Sequence, residues 1–219
     1  VLEINELLAS IPEVQKFSVA GSFRRVAETS KDVDFIVATE DHEAVREAIL
    51  SRLVILETIA AGDTKISVLL DREEPVSVDF RLVKHHEFAT ALHHFTGSKD
   101  HNIRMRQLAK SQGKKISEYG VEQPDGTIAT FDTEEAFFAH FDLPFIPPTV
   151  RESGKELDRL DELAGLVQLE HIMSDLHMHT TWSDGAHSVH EMGEALIDQG
   201  YQYGVITDHS QYLKVANGL

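Results

Sequence analysis

The chain contains no cysteine, only 6 prolines and a single tryptophan among its 219 residues. The lack of cysteine excludes disulfide bonds and thiolate metal sites. The absence of disulfide bonds is common in intracellular proteins. No apolar run approaches the ~20 residues that a membrane-spanning helix needs. Residues 1–13 also lack the basic and apolar stretches of a signal peptide. These absences predict a cytoplasmic protein with no membrane partner, and no motif indicates a protein partner.

The formal net charge of −17 argues against nucleic-acid binding by the chain as a whole. The charge is unevenly placed, however. Residues 99–115 contain six basic side chains and one acid, whereas residues 117–162 contain twelve acids and three bases. A basic strip of this kind either binds a polyanion or is an ordinary solvated helix face, and the strip alone does not decide between them.

Hydrophobic residues make up 42% of the chain, enough for one or two domains with their own cores. Apolar periodicity and turn residues predict the secondary structure. In the predicted strand Val76–Val83, alternation places Asp79 on the face opposite the apolar side chains. Ser22 is predicted to be the N-cap of a short helix over Phe23–Ala27. The other predicted helices are Leu2–Leu8, Asp41–Leu53, His86–His94, Asn102–Gln112, Glu134–His140, Glu156–Leu169 and Val189–Gln199, and the other predicted strands are Phe17–Ala20, Val33–Ala38, Lys65–Leu70 and Tyr203–Ile206.

Two aspartates spaced two residues apart, Asp32 and Asp34, follow a Gly-Ser turn at Gly21–Ser22. Because successive strand side chains alternate, both carboxylates lie on one face. With Asp79 they could hold two magnesium or manganese ions, which stabilise the attacking and leaving oxygens of a nucleotidyl transfer. Backbone N–H groups of the turn and Arg25 could bind the phosphates. This ordered set outweighs the simpler interpretation, a capped turn followed by surface aspartates.

A second motif, Phe95–Ser98, interrupts a helical pattern and is followed by Asn102 and Arg106. Gly97 lets the backbone approach a sugar, and the ring of Phe95 offers it an apolar plane. Asn102 can hydrogen-bond a base edge, and Arg106 can reach the template side. By itself the segment is better explained as a joint between two helices, but its order after the aspartates favours a nucleotide pocket.

Residues 1–150 resemble the family X DNA polymerases, the DNA polymerase beta-like enzymes. The matching segments are Gly21–Arg25, Glu28–Thr29, Asp32–Asp34, Val78–Arg81, Phe95–Ser98, Asn102, Arg104–Arg106 and Ile116–Tyr119. The resemblance implies that Asp32, Asp34 and Asp79 are catalytic and bind metal. It implies nucleotide contacts from Gly21, Ser22, Arg25, Lys31, His94, Phe95, Gly97, Asn102 and Arg106, and DNA contacts from Arg81, Lys99, Arg104 and Lys110.

Two positions depart from the pattern of the vertebrate enzymes in this family. His94 stands where those enzymes have tyrosine, so discrimination against a ribose 2′-hydroxyl is expected to differ in strength. Lys31 stands where they have glycine, which reduces the freedom of a backbone N–H that could reach phosphate.

A histidine motif near the end of the chain suits a second metal site. His177 and His179 are two residues apart on a predicted strand, so both imidazoles share one face. A predicted βαβ unit could return His209 beside them, with Asp184 between. Imidazole with carboxylate suits zinc, manganese or iron. Most of the 13 histidines are expected to be ordinary solvated or core-edge residues, but not this set.

The histidine motif resembles the start of a PHP (polymerase and histidinol phosphatase) domain, the phosphoesterase barrel of bacterial family X polymerases. That resemblance implies a zinc or manganese site in the full-length protein, of which His177, His179, Asp184 and His209 form a part. Because the chain starts with valine and carries about one βαβ unit of the barrel, we expect a central fragment with an incomplete PHP site and no upstream DNA-binding segments.

The predicted fold class is α/β. An α+β nucleotidyltransferase palm with an antiparallel or mixed sheet is expected over residues 1–84, and a small α/β nucleotide-pocket subdomain over 85–150. A linker helix is expected over 151–171, followed over 172–219 by the first βαβ unit of a PHP-type barrel.

The expected function is templated DNA polymerisation, in which a deoxynucleoside triphosphate is added to a primer 3′-hydroxyl on gapped or primer-template DNA. The longer protein is expected to be a PHP phosphoesterase or 3′–5′ exonuclease as well. An alternative, permitted by the Gly-Ser and Asp-x-Asp motifs alone, is an untemplated nucleotidyltransferase acting on a small molecule or an RNA end. A further alternative is a binding module without catalysis.

Overall fold

Helices and strands are distributed over two units, Val1–Leu163 and Ala164–Leu219. The structure, a computed structural model, describes all residues from 1 to 219. None of its helices combines the length and the apolar character that crossing a membrane requires. The α-helices are α1 (Leu2–Ala9), α2 (Gly21–Arg24), α3 (His42–Arg52), α4 (Phe88–Thr96), α5 (Lys99–Ser111), α6 (Glu134–Ala139) and α7 (Val189–Asp198).

The strands form three sheets. The first unit contains a five-stranded sheet of order β1-β2-β5-β4-β3 and a small sheet of order β6-β7-β8, and the second unit pairs β9 with β10. The strands are β1 (Lys16–Val19), β2 (Asp32–Ala38), β3 (Ile55–Ala61), β4 (Lys65–Leu70), β5 (Val76–Val83), β6 (Lys115–Ser117), β7 (Gly120–Glu122), β8 (Ile128–Ala129), β9 (Ser174–Met178) and β10 (Tyr203–Ile206).

The large sheet is mixed, in agreement with the antiparallel or mixed sheet expected for the first domain. Strands β2 and β5 run parallel at its centre, and every other neighbouring pair is antiparallel. The predicted alternation in β5 is confirmed, because Val78, Phe80 and Leu82 are buried and Asp79 is not. Burial of such a side chain contributes about 1.5–3 kcal/mol, which fixes the face on which the polar residues of β5 lie.

Strand β3 is absent from the sequence-based prediction. Its pairing with β4 shifts between Ile55 and Glu57 and again between Thr58 and Ala60, so the period-two pattern is broken twice. The strand also lies at the sheet edge, and most of its residues are exposed. An exposed, bulged edge strand carries no apolar alternation from which it could be predicted.

A second core lies beneath the joint between α4 and α5. Met105 and Ala109 of α5 pack there with Phe137 and Phe138 of α6 and with Ile146. Ser98 caps α5, since its Oγ accepts a hydrogen bond from the N–H of His101 at 3.3 Å. Phe95 packs instead against a third cluster that includes Ile36 of β2 and Val83 of β5. Helices α2 and α4 both contact β2.

Two predicted helices are wrong in detail. The short helix begins at Gly21 with Ala20 as its N-cap, because Ala20 has the extended backbone of that position. The predicted linker helix is instead three 3₁₀ helices, Lys155–Asp158, Leu160–Gly165 and Leu169–His171. Gly154, at φ +75°, precedes the first of these helices, and Gly165 ends the second.

The second unit contains the predicted βαβ arrangement. Strands β9 and β10 are parallel, and α7 connects them. Ser188 begins α7 with a capping box in which its Oγ accepts from the Glu191 N–H and the Glu191 carboxylate accepts from the Ser188 N–H.

Candidate nucleotidyl-transfer site and metal centre

Three aspartates lie on the two central strands of the large sheet. Asp34 of β2 stands directly opposite Asp79 of β5 in the parallel register. Asp32 is two residues earlier on β2 and therefore on the same face. Asp32 is exposed, whereas Asp34 and Asp79 are partly buried. The sheet thus brings together the three carboxylates that the sequence singled out.

Gly21 fits a position that no other residue can occupy without strain. Its backbone has φ +62°, and a Cβ built there would lie 2.2 Å from Oδ2 of Asp34. The N–H of the preceding residue, Ala20, donates to the Asp34 carbonyl at 2.7 Å. The Gly-Ser turn is therefore packed against one of the carboxylates, and phosphate held by the turn would lie beside that carboxylate.

The protonation of the aspartates depends on their surroundings. Burial, together with the negative charges of Asp32 and Asp79, raises the pKa of Asp34 to about 6. Burial alone would raise the pKa of Asp79 as well, but a hydrogen bond from Lys65 and its positive charge outweigh it and hold that pKa below its usual value. Crowded carboxylates of this kind are stabilised by cations.

Lys65, which no sequence motif indicates, is one of two cations at this site, the other being Arg81. Lys65 lies on β4, and its Nζ is 2.7 Å from Oδ2 of Asp79. The signal in the sequence is weak, because Lys65 precedes Asp79 by fourteen residues and meets it only through the antiparallel pairing of β4 with β5. Lys65 binds one carboxylate oxygen of Asp79. The carboxylate oxygens of Asp32, Asp34 and Asp79 do not all lie within 4.8 Å of one another.

The Gly-Ser turn is tied to the joint between α4 and α5 by two arginines. Arg24 Nη1 donates to the Thr96 hydroxyl at 2.8 Å, and Arg25 Nη1 donates to the Thr96 carbonyl at 2.6 Å. A Cβ on Gly97, which has φ +71°, would lie 3.3 Å from Arg25 Nη1. Arg25 therefore links the predicted phosphate-binding turn and the predicted sugar-binding turn.

A buried ion-pair network supports this joint, and no sequence motif predicts it. Both Arg24 and Arg151 donate to the carboxylate of Glu134, at 2.6 and 2.7 Å. Arg151 is fully buried, and its Nε donates to the Ile146 carbonyl at 2.7 Å. An unpaired charge in such a place would cost several kcal/mol, so the three side chains depend on one another.

Three of the remaining predicted nucleotide-binding residues, His94, Phe95 and Asn102, lie at the same joint. The Asn102 amide Nδ2 donates to the His94 carbonyl at 2.7 Å, which leaves its buried Oδ1 without a partner. Arg81 lies over the Phe95 ring at 4.7 Å. Burial, together with the charges of Arg106 and Arg81, lowers the pKa of His94. Ser22 Oγ donates to Ser30 Oγ at 2.9 Å, and Lys31 and Arg106 are exposed.

The basic strip is only partly available to a ligand. Lys99 and Lys110 are exposed along α5. Arg104, by contrast, pairs with Asp158 at 2.5 Å, and Lys115 lies 3.8 Å from Glu122. The pairing of Arg104 cannot be read from a charge run, because its partner Asp158 is 54 residues away.

The second unit holds a separate cluster of potential metal ligands. Ligand atoms of His179, Asp184 and His209 all lie within 4.8 Å of one another. The rings of His179 and His209 stack at 4.4 Å, and His179 Nδ1 is buried without a hydrogen-bond partner. His177 is exposed on β9 and is not part of the group, although its ring centroid lies 5.0 Å from that of His179.

Asp208 organises the loops of this cluster. Its carboxylate accepts hydrogen bonds from the Thr180 N–H, the Thr180 hydroxyl and the Ser183 hydroxyl, at 2.6–2.7 Å. These bonds outweigh the effect of burial and keep the pKa of Asp208 below its usual value. They hold the segment before Asp184 next to the strand end that carries His209.

Comparison with known proteins gives two kinds of match. Residues 91–152 match the family model for the DNA polymerase beta thumb. The chain is 58% identical over 218 residues to the Bacillus subtilis protein named DNA polymerase/3'-5' exonuclease PolX. This match covers 99% of this chain and 38% of the relative. It is 29% identical over 162 residues to rat DNA polymerase lambda, over 60% of this chain and 28% of that relative. The chain thus spans less than two-fifths of the length of these relatives.

Proposed function

We propose that this chain belongs to the family X DNA polymerases and carries the nucleotidyl-transfer centre of a templated DNA polymerase. The observation that supports the proposal best is that Asp34 and Asp79 lie opposite each other on parallel strands. Beside them is a turn at Gly21, where any side chain would clash with Asp34. The alternation of strand side chains adds Asp32 to the same face. These residues are proposed as the catalytic set.

The donor set suits magnesium or manganese. Three carboxylates supply the hard oxygen ligands that these ions prefer. Burial and the neighbouring charges of Asp32 and Asp79 raise the pKa of Asp34 to about 6, so a bound cation would stabilise its ionised form. Two bound ions would neutralise charge on the attacking and leaving oxygens of the transfer. Asp32 and Asp34 would hold the ions, Lys65 would orient the Asp79 carboxylate through its contact at 2.7 Å, and Asp79 is proposed to accept the proton of the primer hydroxyl.

We propose that residues at the joint between α4 and α5 contact the nucleotide. Arg25 donates through Nε and Nη1 to protein acceptors, which leaves Nη2 for a phosphate oxygen. Asn102 has an unpartnered buried Oδ1 that can accept from a base edge. Gly97 and Phe95 can face the sugar. Lys31, His94 and Arg106 are proposed to line the same pocket, with Arg81, Lys99 and Lys110 toward DNA.

The proposed function is tested by template-directed insertion. The chain is incubated with Mg²⁺ and DNA that has a one-nucleotide gap, and each of the four deoxynucleoside triphosphates is supplied separately. We expect insertion of the complementary nucleotide, with the preferred nucleotide changing when the template base is changed. Equal use of ATP and all four deoxynucleotides without template would instead support the untemplated alternative. Binding of gapped DNA without insertion would support the binding module.

A second activity is proposed for residues 164–219 because of the ligand group His179, Asp184 and His209. The unpartnered, buried Nδ1 of His179 is a donor atom suited to zinc or manganese. The relative in Bacillus subtilis is named as a 3'-5' exonuclease as well as a polymerase. We propose that these residues form part of a metal-dependent phosphoesterase site, with His177 as a nearby candidate ligand.

Loss of one histidine should weaken metal binding at this second site. His209→Ala is expected to lower the affinity for Mn²⁺ or Zn²⁺ at least about tenfold, as measured by calorimetry. His190→Ala is the matched control, since His190 is exposed on α7 and faces only Glu194, at 3.4 Å. Equal affinities for the wild type and His209→Ala would show that the three side chains do not form a metal site.

A further inference from the structure

A short segment after α6 crosses the joint between α4 and α5. We name residues 151–158 the strap. Two backbone contacts hold it there: the Ser98 N–H donates to the Arg151 carbonyl at 2.9 Å, and the Ser98 hydroxyl donates to the Glu152 carbonyl at 2.6 Å. The strap therefore lies directly on the turn that contains Gly97. It ends six residues beyond the segment that matches the thumb family model.

The strap also holds side chains on both flanks of the joint. Glu152 accepts from Arg25 Nε at 2.9 Å, and Asp158 accepts from Arg104 at 2.5 Å. Gly154 has φ +75°, and a Cβ there would lie 2.5 Å from Arg104 Cγ. The close approach of the strap to α5 consequently requires glycine at this position.

The most buried contact of the strap is a relay of Glu156, His101 and His93. Glu156 Oε1 lies 2.7 Å from His101 Nδ1, and His101 Nε2 lies 3.0 Å from His93 Nε2. All three side chains are buried. Burial lowers the pKa of His101 to about 3 and that of His93 well below its usual value, so both rings are neutral.

When Glu156 is ionised, only one placement of the ring protons of His101 and His93 satisfies both hydrogen bonds of the relay. His101 donates its Nδ1–H to the carboxylate, and its Nε2 lone pair accepts from the Nε2–H of His93. His93 Nδ1 then carries a lone pair, in agreement with the lack of any partner for that atom. A buried lone pair is cheaper to leave unpaired than an N–H, so Glu156 selects the tautomer of both rings.

This relay acts on the first turn of α5. His101 is adjacent to Asn102, whose Nδ2 is bound to the His94 carbonyl and whose Oδ1 is free. The turn is thus held on one side by α4 and on the other by the strap. A shift of this turn would move the Asn102 amide relative to Gly97 and Phe95, the residues proposed to face the sugar.

We infer that Glu156 is a positioning residue: through His101 it fixes the first turn of α5 and thereby the affinity of the pocket for a deoxynucleoside triphosphate. The inference rests on the proposed function for the identity of the ligand. It assigns a role in nucleotide binding to a residue outside the segment that matches the thumb model and distant in sequence from every catalytic aspartate.

The test compares Glu156→Ala, Glu156→Gln and Glu162→Gln in the full chain. Glu162 lies in the same acidic region but is exposed and pairs only with Arg159, so it is the matched control. The dissociation constant of a fluorescent deoxynucleoside triphosphate is measured with Ca²⁺ present, and thermal unfolding verifies that each variant is folded. We expect about fivefold weaker binding for Glu156→Ala, within the range by which supporting contacts alter a binding site. Glu156→Gln should bind nearly as the wild type, because its amide oxygen still accepts from His101.

Amide hydrogen exchange provides a second readout that does not need the nucleotide. The N–H of Asn102 bonds to the Ser98 carbonyl at 3.0 Å, and Glu156→Ala should speed exchange at residues 101–103 about tenfold relative to Glu162→Gln. A folded Glu156→Ala variant with unchanged exchange and unchanged nucleotide affinity would overturn the inference. Failure of the wild type to bind any deoxynucleotide, with faster exchange in Glu156→Ala, would instead overturn the proposed function and leave the strap's positioning role supported.

Discussion

Replacing Asp79 by asparagine is expected to lower the single-turnover rate of nucleotide insertion at least about a thousandfold while the chain stays folded. Asparagine has the same shape but cannot carry the negative charge that Lys65 stabilises in Asp79. Without that charge the residue neither binds a cation well nor accepts the proton of the primer hydroxyl. The measurement is rapid-quench insertion on the gapped DNA described above.

A matched control separates this effect from a general change in charge. Asp71 lies in the turn after β4 and is exposed, so Asp71→Asn removes one carboxylate from the same hairpin without touching the proposed site. It should keep the wild-type rate within about twofold. Insertion by Asp79→Asn at a rate close to that of Asp71→Asn would remove Asp79 from the catalytic set and with it the proposed mechanism.

Replacing Glu134 by alanine is expected to lower the free energy of unfolding of the first unit by about 3–5 kcal/mol. Glu134 is the shared acceptor of Arg24 and Arg151, and Arg151 is fully buried. Its loss leaves a buried guanidinium without a counter-charge. The cost of that unpaired charge is larger than the net contribution of the ion pair itself.

Urea unfolding measures this effect, with two signals to separate the units. Circular dichroism follows the whole chain, whereas fluorescence of Trp182, the single tryptophan, follows residues 164–219. The control is Glu135→Ala, an exposed neighbour on α6, which should change the unfolding free energy by less than about 0.5 kcal/mol. Similar values for both variants would show that the network does not stabilise the joint.

Local pattern was enough to predict much of the secondary structure. Alternation in β5 places Asp79 on the face opposite Val78, Phe80 and Leu82, and the structure agrees. The βαβ unit of the second unit is likewise predicted from periodicity and confirmed. The linker illustrates the limit: Leu157, Leu160 and Leu163 do pack against the second core, but the segment forms short 3₁₀ helices and not one α-helix.

Contacts between distant segments were not predictable in the same way. Nothing near Asp79 in the chain indicates Lys65, and nothing in the run of acids from residue 117 onward distinguishes buried Glu134 and Glu156 from their solvated neighbours. Each pairs with a residue brought close only by the sheet register or by packing. Charge patterns report composition along the chain, whereas burial and pairing depend on which elements meet.

The residues proposed to carry the chemistry were selected from the order of the amino acids alone. Short-range rules of backbone geometry and ligand preference suffice to group Asp32 with Asp34 and to mark Gly21 as a turn. Tertiary packing decided the rest: the opposition of Asp34 and Asp79, the Lys65 cation, and the strap that holds α5. These depend on contacts across 14 to 55 residues, and such contacts exist only once the sheet and the second core have formed.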